Sequence, residues 1–177
     1  VTQALAGQKL APVASATVER NSVDVAAAVK TLVAAAPDAV VQVCTYASSA
    51  AFVRAARKAG YGGTFYNVSF VGTQALADAL GKEGAGVVVS QVVPSPYQST
   101  HPLAREFLAA IKQGGDKVKA NYSSLEGYLA ARVFTEGLRR ATPDAGKAPS
   151  REALVAGLES MGTQTLSGFQ VAFGPNS

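Results

Sequence analysis

The apolar positions of the chain follow two regimes that meet near residue 94. In the first, short apolar runs alternate with stretches of helical spacing. Val25, Val29, Leu32 and Val33 recur every three to four residues and predict a helix over 25–35, introduced by Asn21-Ser22 and Asp24 and ended by Pro37. The run 38–44 that follows is nearly all apolar, which predicts a parallel strand covered on both faces. Residues 45–49 then read as a short polar turn and 50–59 as a helix, stopped by Gly60, Gly62 and Gly63. A strand over 64–68, an exit loop over 69–73, a short helix over 74–80 and a strand over 87–93 repeat the unit. Upstream, residues 1–5 read as the end of a helix closed by Gly7, and the β-branched stretch 10–18 reads as a strand.

Pro94-Ser95-Pro96 interrupts this alternation, and helical spacing takes over. Pro102 opens a helix to about 112, Ser123 or Ser124 caps a long one to 140, and Ser150 caps a third to about 158. Residues 142–149, rich in Pro, Gly and charge, read as a surface loop, and 168–173 as a final strand. The class is α/β, with a parallel sheet flanked by helices in the first half.

Composition narrows the picture. With 48% hydrophobic residues in 177, the chain has enough apolar surface for a sizeable core, in one domain or two small lobes. Its net charge of +4 is spread out, with Arg139-Arg140 and Lys117/Lys119 as the only close groupings, so no nucleic-acid partner is expected. Cys44 is the sole cysteine, which excludes an intrachain disulfide and a cysteine-built zinc site. No apolar run reaches the roughly eighteen residues of a membrane helix. The start Val1-Thr2-Gln3 carries no leader pattern, and the chain reads as a piece cut from something longer.

Candidate chemistry is sparse. His101 lies between Thr100 and Pro102 at a helix start and reads as a cap, with no nucleophile elbow to serve. Ser48, Ser49, Ser69, Ser123 and Ser124 stand at element ends, where caps belong. The carboxylates do not cluster, so neither a metal site nor paired-acid catalysis is expected, and no phosphate-binding glycine pattern is present. No cofactor and no enzymatic activity are expected. What remains are the loops after two successive strands, Thr45-Tyr46-Ala47-Ser48 and Ser69-Phe70-Val71-Gly72. Ligands of open parallel sheets bind at that edge, and each loop sets an aromatic ring beside small hydroxyls. Packing in the core is the alternative role for the rings.

The order of Asp24, Pro37-Asp38-Ala39-Val40-Val41, a Tyr-bearing turn, Phe52-Val53-Arg54-Ala55-Ala56-Arg57-Lys58-Ala59-Gly60 and Val71-Gly72 resembles the branched-chain amino-acid binding family. These are the type I periplasmic solute-binding proteins of ABC importers. The likeness runs on through Gly86-Val87-Val88-Val89, Pro94-Ser95-Pro96, Pro102-Leu103, Tyr122, Gly127-Tyr128-Leu129-Ala130-Ala131 and Leu166-Ser167-Gly168-Phe169.

The resemblance implies a two-lobe fold of Rossmann-like halves with the solute clamped between them. Residues 1–93 and 166–177 correspond to the far lobe without its first strand, and 94–165 to a crossover plus near-lobe helices. It implies a periplasmic location, a membrane permease of an ABC importer as partner, and a small solute of carboxylate, amide or amino-acid-like type. A ligand-sensing or regulatory domain of the same fold is the alternative function. By the same resemblance Tyr46 matches a pocket tyrosine and Tyr122 an aromatic that packs on the ligand, while the strand-end loops add Thr45, Ser48, Ser69 and Phe70 as further candidate contacts. Where amino-acid receptors of the family place an acid for the ligand ammonium, this sequence reads Ser69 or Phe70, a one-residue gap leaving the two open. An ammonium buried without a charged partner costs several kcal/mol, so a solute without one is expected.

Overall fold

The computed structural model describes residues 1–115, 117–142 and 148–175. The chain divides into two compact units, Val1–Val92 and Val93–Ser177. The division falls at the Pro94-Ser95-Pro96 break.

In the first unit, helix α1 (Thr2–Gly7) precedes α2 (Ala26–Ala34), β1 (Ala39–Gln42), α3 (Tyr46–Lys58), β2 (Thr64–Asn67), α4 (Thr73–Leu80) and β3 (Val87–Val89). The strands form one parallel sheet in the order β1-β2-β3, with Val40 opposite Phe65 and Phe65 opposite Val87. Parallel neighbours need a crossover long enough for a helix, and α3 and α4 supply it.

The core explains the strand sequences only in part. Val40 and Phe65 point to the side occupied by α2, α3 and α4, where they join Val29, Phe52, Val53, Ala56, Leu76 and Leu80. Phe65 sits edge-on to both Phe52 and Tyr61. The opposite face is not covered: Val41, Tyr66 and Val88 lie side by side across the sheet and are 48%, 44% and 43% exposed. The expectation of a strand buried on both faces is therefore corrected, because α2 and the crossover helices α3 and α4 all pack on one side.

The expected strand over 10–18 does not form. Residues 11–18 run without helix or ladder and enter no backbone hydrogen bond among the described residues. Residues 45–49 are not a turn either, since α3 begins at Tyr46. The start of α2 is held by Asp24 rather than Asn21-Ser22: the Ala26 N–H donates to Asp24 Oδ1 at 3.3 Å, while Ser22 Oγ accepts from the Asp24 N–H.

The second unit contains α5 (Pro102–Gln113), α6 (Tyr122–Ala141), α7 (Arg151–Glu159) and the antiparallel hairpin of β4 (Gly162–Leu166) and β5 (Phe169–Phe173). Its core gathers Val93, Leu103, Phe107 and Leu125. The caps differ in detail from expectation. Asn121, not Ser123 or Ser124, is the N-cap of α6, and its side chain accepts from the Ser124 N–H while Ser124 Oγ accepts from the Asn121 N–H. Ser150 caps α7 as expected, accepting from the Ala153 N–H at 3.1 Å. The last strand, placed by sequence with residues 1–93, ladders with β4, which the sequence reading does not contain. Residues 143–147 of the expected 142–149 loop lie outside the described residues. No helix among the described residues is long and apolar enough to cross a membrane.

Candidate functional site

The carboxyl ends of β1, β2 and β3 leave the first unit's sheet at one edge, because the strands are parallel. After β1 the chain passes through Val43 and Cys44 to Thr45, the N-cap of α3, which makes no side-chain cap bond. After β2 it turns through a single 3₁₀ turn, Ser69–Val71, and Gly72 takes a left-handed conformation (φ 77°) that lets α4 start at once. Both helices thus begin at this edge, and neither has an acidic residue in its first turn. Free N–H groups and the positive helix ends face outward from the sheet end.

The predicted site residues separate into three groups. Tyr46 and Phe70 are exposed, at 46% and 67%, so neither ring is core. Thr45 and Ser69 are half-buried beside them. Ser48 is buried, and its hydroxyl donates to the Ser22 carbonyl at 2.6 Å, tying α3 to the loop before α2. Its hydroxyl already has a partner within the fold. Tyr122 belongs to the second unit, where its ring meets Tyr97 edge-on at a centroid distance of 5.9 Å.

Two residues at the same sheet edge escape sequence reasoning. Gln42 and Asn67 end β1 and β2 as register partners on the helix-facing side, both buried. The Asn67 Nδ2 donates to Gln42 Oε1 at a long 3.4 Å, and the Asn67 Oδ1 has no hydrogen-bond partner. Buried carboxamides are normally satisfied, so this pair is polar capacity held in reserve at the strand ends. The available signal is a Gln and an Asn at the last position of otherwise apolar strands. The next strand end adds Gln91, whose Nε2 donates to Thr73 Oγ1 at 2.6 Å.

The loops that leave the three strands carry no charged side chain, and the carboxylate nearest to them in the fold is that of Asp24, at the start of α2, two residues from the Ser22 bonded to Ser48. Residues 43–50, 68–74 and 90–93 contain no Asp, Glu, Lys, Arg or His. These loops can therefore offer ring faces, hydroxyls, carboxamides and backbone N–H groups, which suits neutral or anionic groups.

Acidic chemistry sits elsewhere and is already engaged. In the second unit Glu106 receives the Tyr128 hydroxyl at 2.7 Å and the Ser167 hydroxyl, and pairs with Arg132. The carboxylate's partners come from α6 and the hairpin turn, a structural tie that sequence spacing does not reveal. Burial raises the Tyr128 pKa, which keeps the phenol a donor. His101 Nδ1 accepts the Leu103 N–H at 3.2 Å as the N-cap of α5, in keeping with its reading as a cap.

A crossover-built parallel sheet with polar strand ends makes the first unit an α/β module of the Rossmann-like kind. The chain belongs to the periplasmic binding protein family, whose model matches residues 1–177. Its structure is similar to a substrate-binding periplasmic protein from Ralstonia solanacearum, at 32% identity and a TM-score of 0.84, over 98% of this chain and 49% of that one. A possible leucine/isoleucine/valine-binding protein from Rhodopirellula baltica SH 1 is 31% identical with a TM-score of 0.76, over 90% of this chain and 42% of that one. A fatty acid ABC transporter substrate-binding protein from Thermomonospora curvata shares the fold at 19% identity and a TM-score of 0.72, over 86% and 39%. The chain thus spans less than half the length of these relatives. Among curated proteins none matches significantly. The family and these neighbours are binding proteins by description.

Proposed function

We propose that the chain is part of the solute-binding component of an ABC importer, located in the periplasm and partnered by a membrane permease. It binds a small organic solute without catalysis at the carboxyl edge of the β1-β2-β3 sheet. The observation that carries this reading is the composition of the strand-exit loops: two exposed rings, Tyr46 and Phe70, beside Thr45 and Ser69, at the starts of α3 and α4, with no charged side chain in the loops themselves. Such loops favour a carboxylate or amide over an amino-acid zwitterion, since they hold no partner for an ammonium. Tyr122, beside Tyr97, is proposed as a further aromatic contact.

The test is calorimetric titration with matched pairs, each amino acid against the carboxylic acid lacking its amino group. The deaminated member should bind more tightly, and Tyr46→Ala should weaken it by about 1–3 kcal/mol, the range for losing a well-placed aromatic contact. Leucine or valine bound tightly, with at least roughly tenfold loss on removal of the ammonium, an energy of about 1.4 kcal/mol, defeats the assignment of solute class.

A further inference from the structure

Gln42 and Asn67 end β1 and β2 on the face toward α2, α3 and α4, and both are buried. Two residues earlier on that same face stand Val40 and Phe65, which are apolar core. A valine or leucine at the strand ends would continue this packing. The carboxamides instead cost stability, because Asn67 Oδ1 is enclosed without a partner and the bond from Asn67 Nδ2 to Gln42 Oε1 is long, at 3.4 Å. Polar side chains kept in a core at such a cost point to a role other than stability.

Asn67 is also where the three strand exits meet. Its amide group reaches the end of β1 through Gln42, just before Thr45, the N-cap of α3. Its carbonyl accepts the Ser90 N–H at 2.9 Å and the Ser90 hydroxyl at 3.4 Å, which holds the chain leaving β3. Gln91 closes the circuit, since its Nε2 donates at 2.6 Å to Oγ1 of Thr73, the first residue of α4. The turn between Asn67 and Thr73 carries Ser69 and Phe70.

We propose that Asn67 is a positioning residue of the solute site, setting the spacing between the Thr45-Tyr46 exit of β1 and the Ser69-Phe70 exit of β2 through its bonds to Gln42 and Ser90. Its role rests on the assignment of these loops as the solute site. Asn67 acts without touching the solute, being 3% exposed and on the helix side of the sheet. A solute that lies against both Tyr46 and Phe70 is held well at one spacing of the loops only, since a misplacement of about 1 Å is enough to spoil close contacts. A carboxamide pair suits this task better than two aliphatic side chains, because a hydrogen bond fixes distance and direction whereas apolar contact is non-directional.

The test compares the parent with Gln42→Leu/Asn67→Val, which removes both partners of the pair and leaves side chains a buried strand accepts. Hydrogen exchange is read at the bonded amides of Ser49, Val71 and Gly72, which lie at the two exits, with Gly60 and Tyr61 beyond the far end of α3 as controls. Binding is read by calorimetric titration with 3-phenylpropanoate, the deaminated form of phenylalanine. The double variant should melt no lower than the parent. Exchange at Ser49, Val71 and Gly72 should nevertheless quicken by roughly tenfold with Gly60 and Tyr61 unchanged, and the affinity for 3-phenylpropanoate should fall by roughly tenfold. Asn67→Ser, too short to reach Gln42, should give the same local quickening. In either folded variant, unchanged exchange at the exits, or equal quickening at both ends of α3, makes Asn67 an ordinary core residue and overturns the proposal. Unchanged affinity in a variant whose exits have loosened overturns it too, as does failure of both variants to fold, which makes Asn67 a stability residue. A parent that binds no 3-phenylpropanoate counts against the solute class proposed for these loops, while the exchange comparison still decides whether Asn67 couples them.

Discussion

His101 and Asn121 perform one task at two helix starts: a side-chain acceptor takes up an N–H that the first turn leaves without a partner. For His101 this makes the only imidazole of the chain a structural group. His101→Ala should lower stability by about 1 kcal/mol in denaturant titration and leave solute affinity unchanged. A loss of affinity with unchanged stability would place the ring at a ligand instead. The converse holds for Ser69, which is half-buried in a loop without charge. Ser69→Asp introduces the missing anion, so the matched-pair titration should shift toward the ammonium-bearing member. The residue scale is also where sequence reading is weakest. Tyr46 and Phe70 are recognisable because large rings next to strand ends are unusual, whereas Ser48 looks equivalent to Thr45 until the Ser22 carbonyl is seen 2.6 Å away. Gln42 and Asn67 each stand out locally as a carboxamide at a strand end, but their pairing links residues 25 apart and shows only in the fold.

Among the elements, α6 and α7 show how closely two helices can approach when glycine lies at the crossing. A Cβ on Gly157 would stand 2.6 Å from the Gly137 carbonyl oxygen and 3.1 Å from the Ala141 nitrogen, both backbone atoms that cannot yield. A Cβ on Gly137 would meet the Cδ2 and, at 2.7 Å, the Cγ of Leu158, side-chain atoms that a change of rotamer can move, with no backbone atom as close. Gly157→Ala should therefore destabilise by about 1–3 kcal/mol through overpacking. Gly137→Ala should cost clearly less, since a helix-propensity gain of about 1 kcal/mol offsets the adjustment. Comparing the two in urea tests the crossing directly, and equal losses would contradict it. On the same helix Glu136 accepts from Arg139 and Arg140, and these hydrogen bonds hold its carboxyl down at about 2 against an ordinary 4.5. The folded pKa lies below the unfolded one, so the contribution is present above about 4.5 and is lost as pH falls toward 2. Glu136→Gln should thus lower the melting temperature at pH 6 and make no difference near pH 2. A gap that persists at pH 2 would point to packing rather than charge. Elements with strong apolar periodicity or clear caps, such as α5 and α7, are readable from sequence. The strand β4 is not, because Gly162-Thr163-Gln164-Thr165 is polar and mostly exposed. Its one signal is the turn Ser167-Gly168, both at positive φ, which joins Leu166 to its partner Phe169 as a two-residue hairpin.

At the scale of the molecule, the change of pattern at residue 94 corresponds to a physical division into two units, and the alternating half does form a parallel sheet. What the sequence could not convey is which faces and edges of that sheet are covered. An apolar strand is the same string of letters whether helices pack on one side or two. Here α2, α3 and α4 share a side, and Val41, Tyr66 and Val88 form a contiguous exposed row on the other. Exposed apolar rows of this kind bind hydrophobic dyes and drive association, because burying them removes apolar area from water at about 25 cal/mol per Å². The 177-residue chain should therefore bind such a dye and self-associate as its concentration rises. Replacing all three residues by threonine keeps β-branched or strand-compatible side chains while making the row polar. The triple variant should retain the circular dichroism of the parent, bind markedly less dye and sediment as a monomer at concentrations where the parent does not. Dye binding and association unchanged in a folded triple variant would show that this face is not the sticky one.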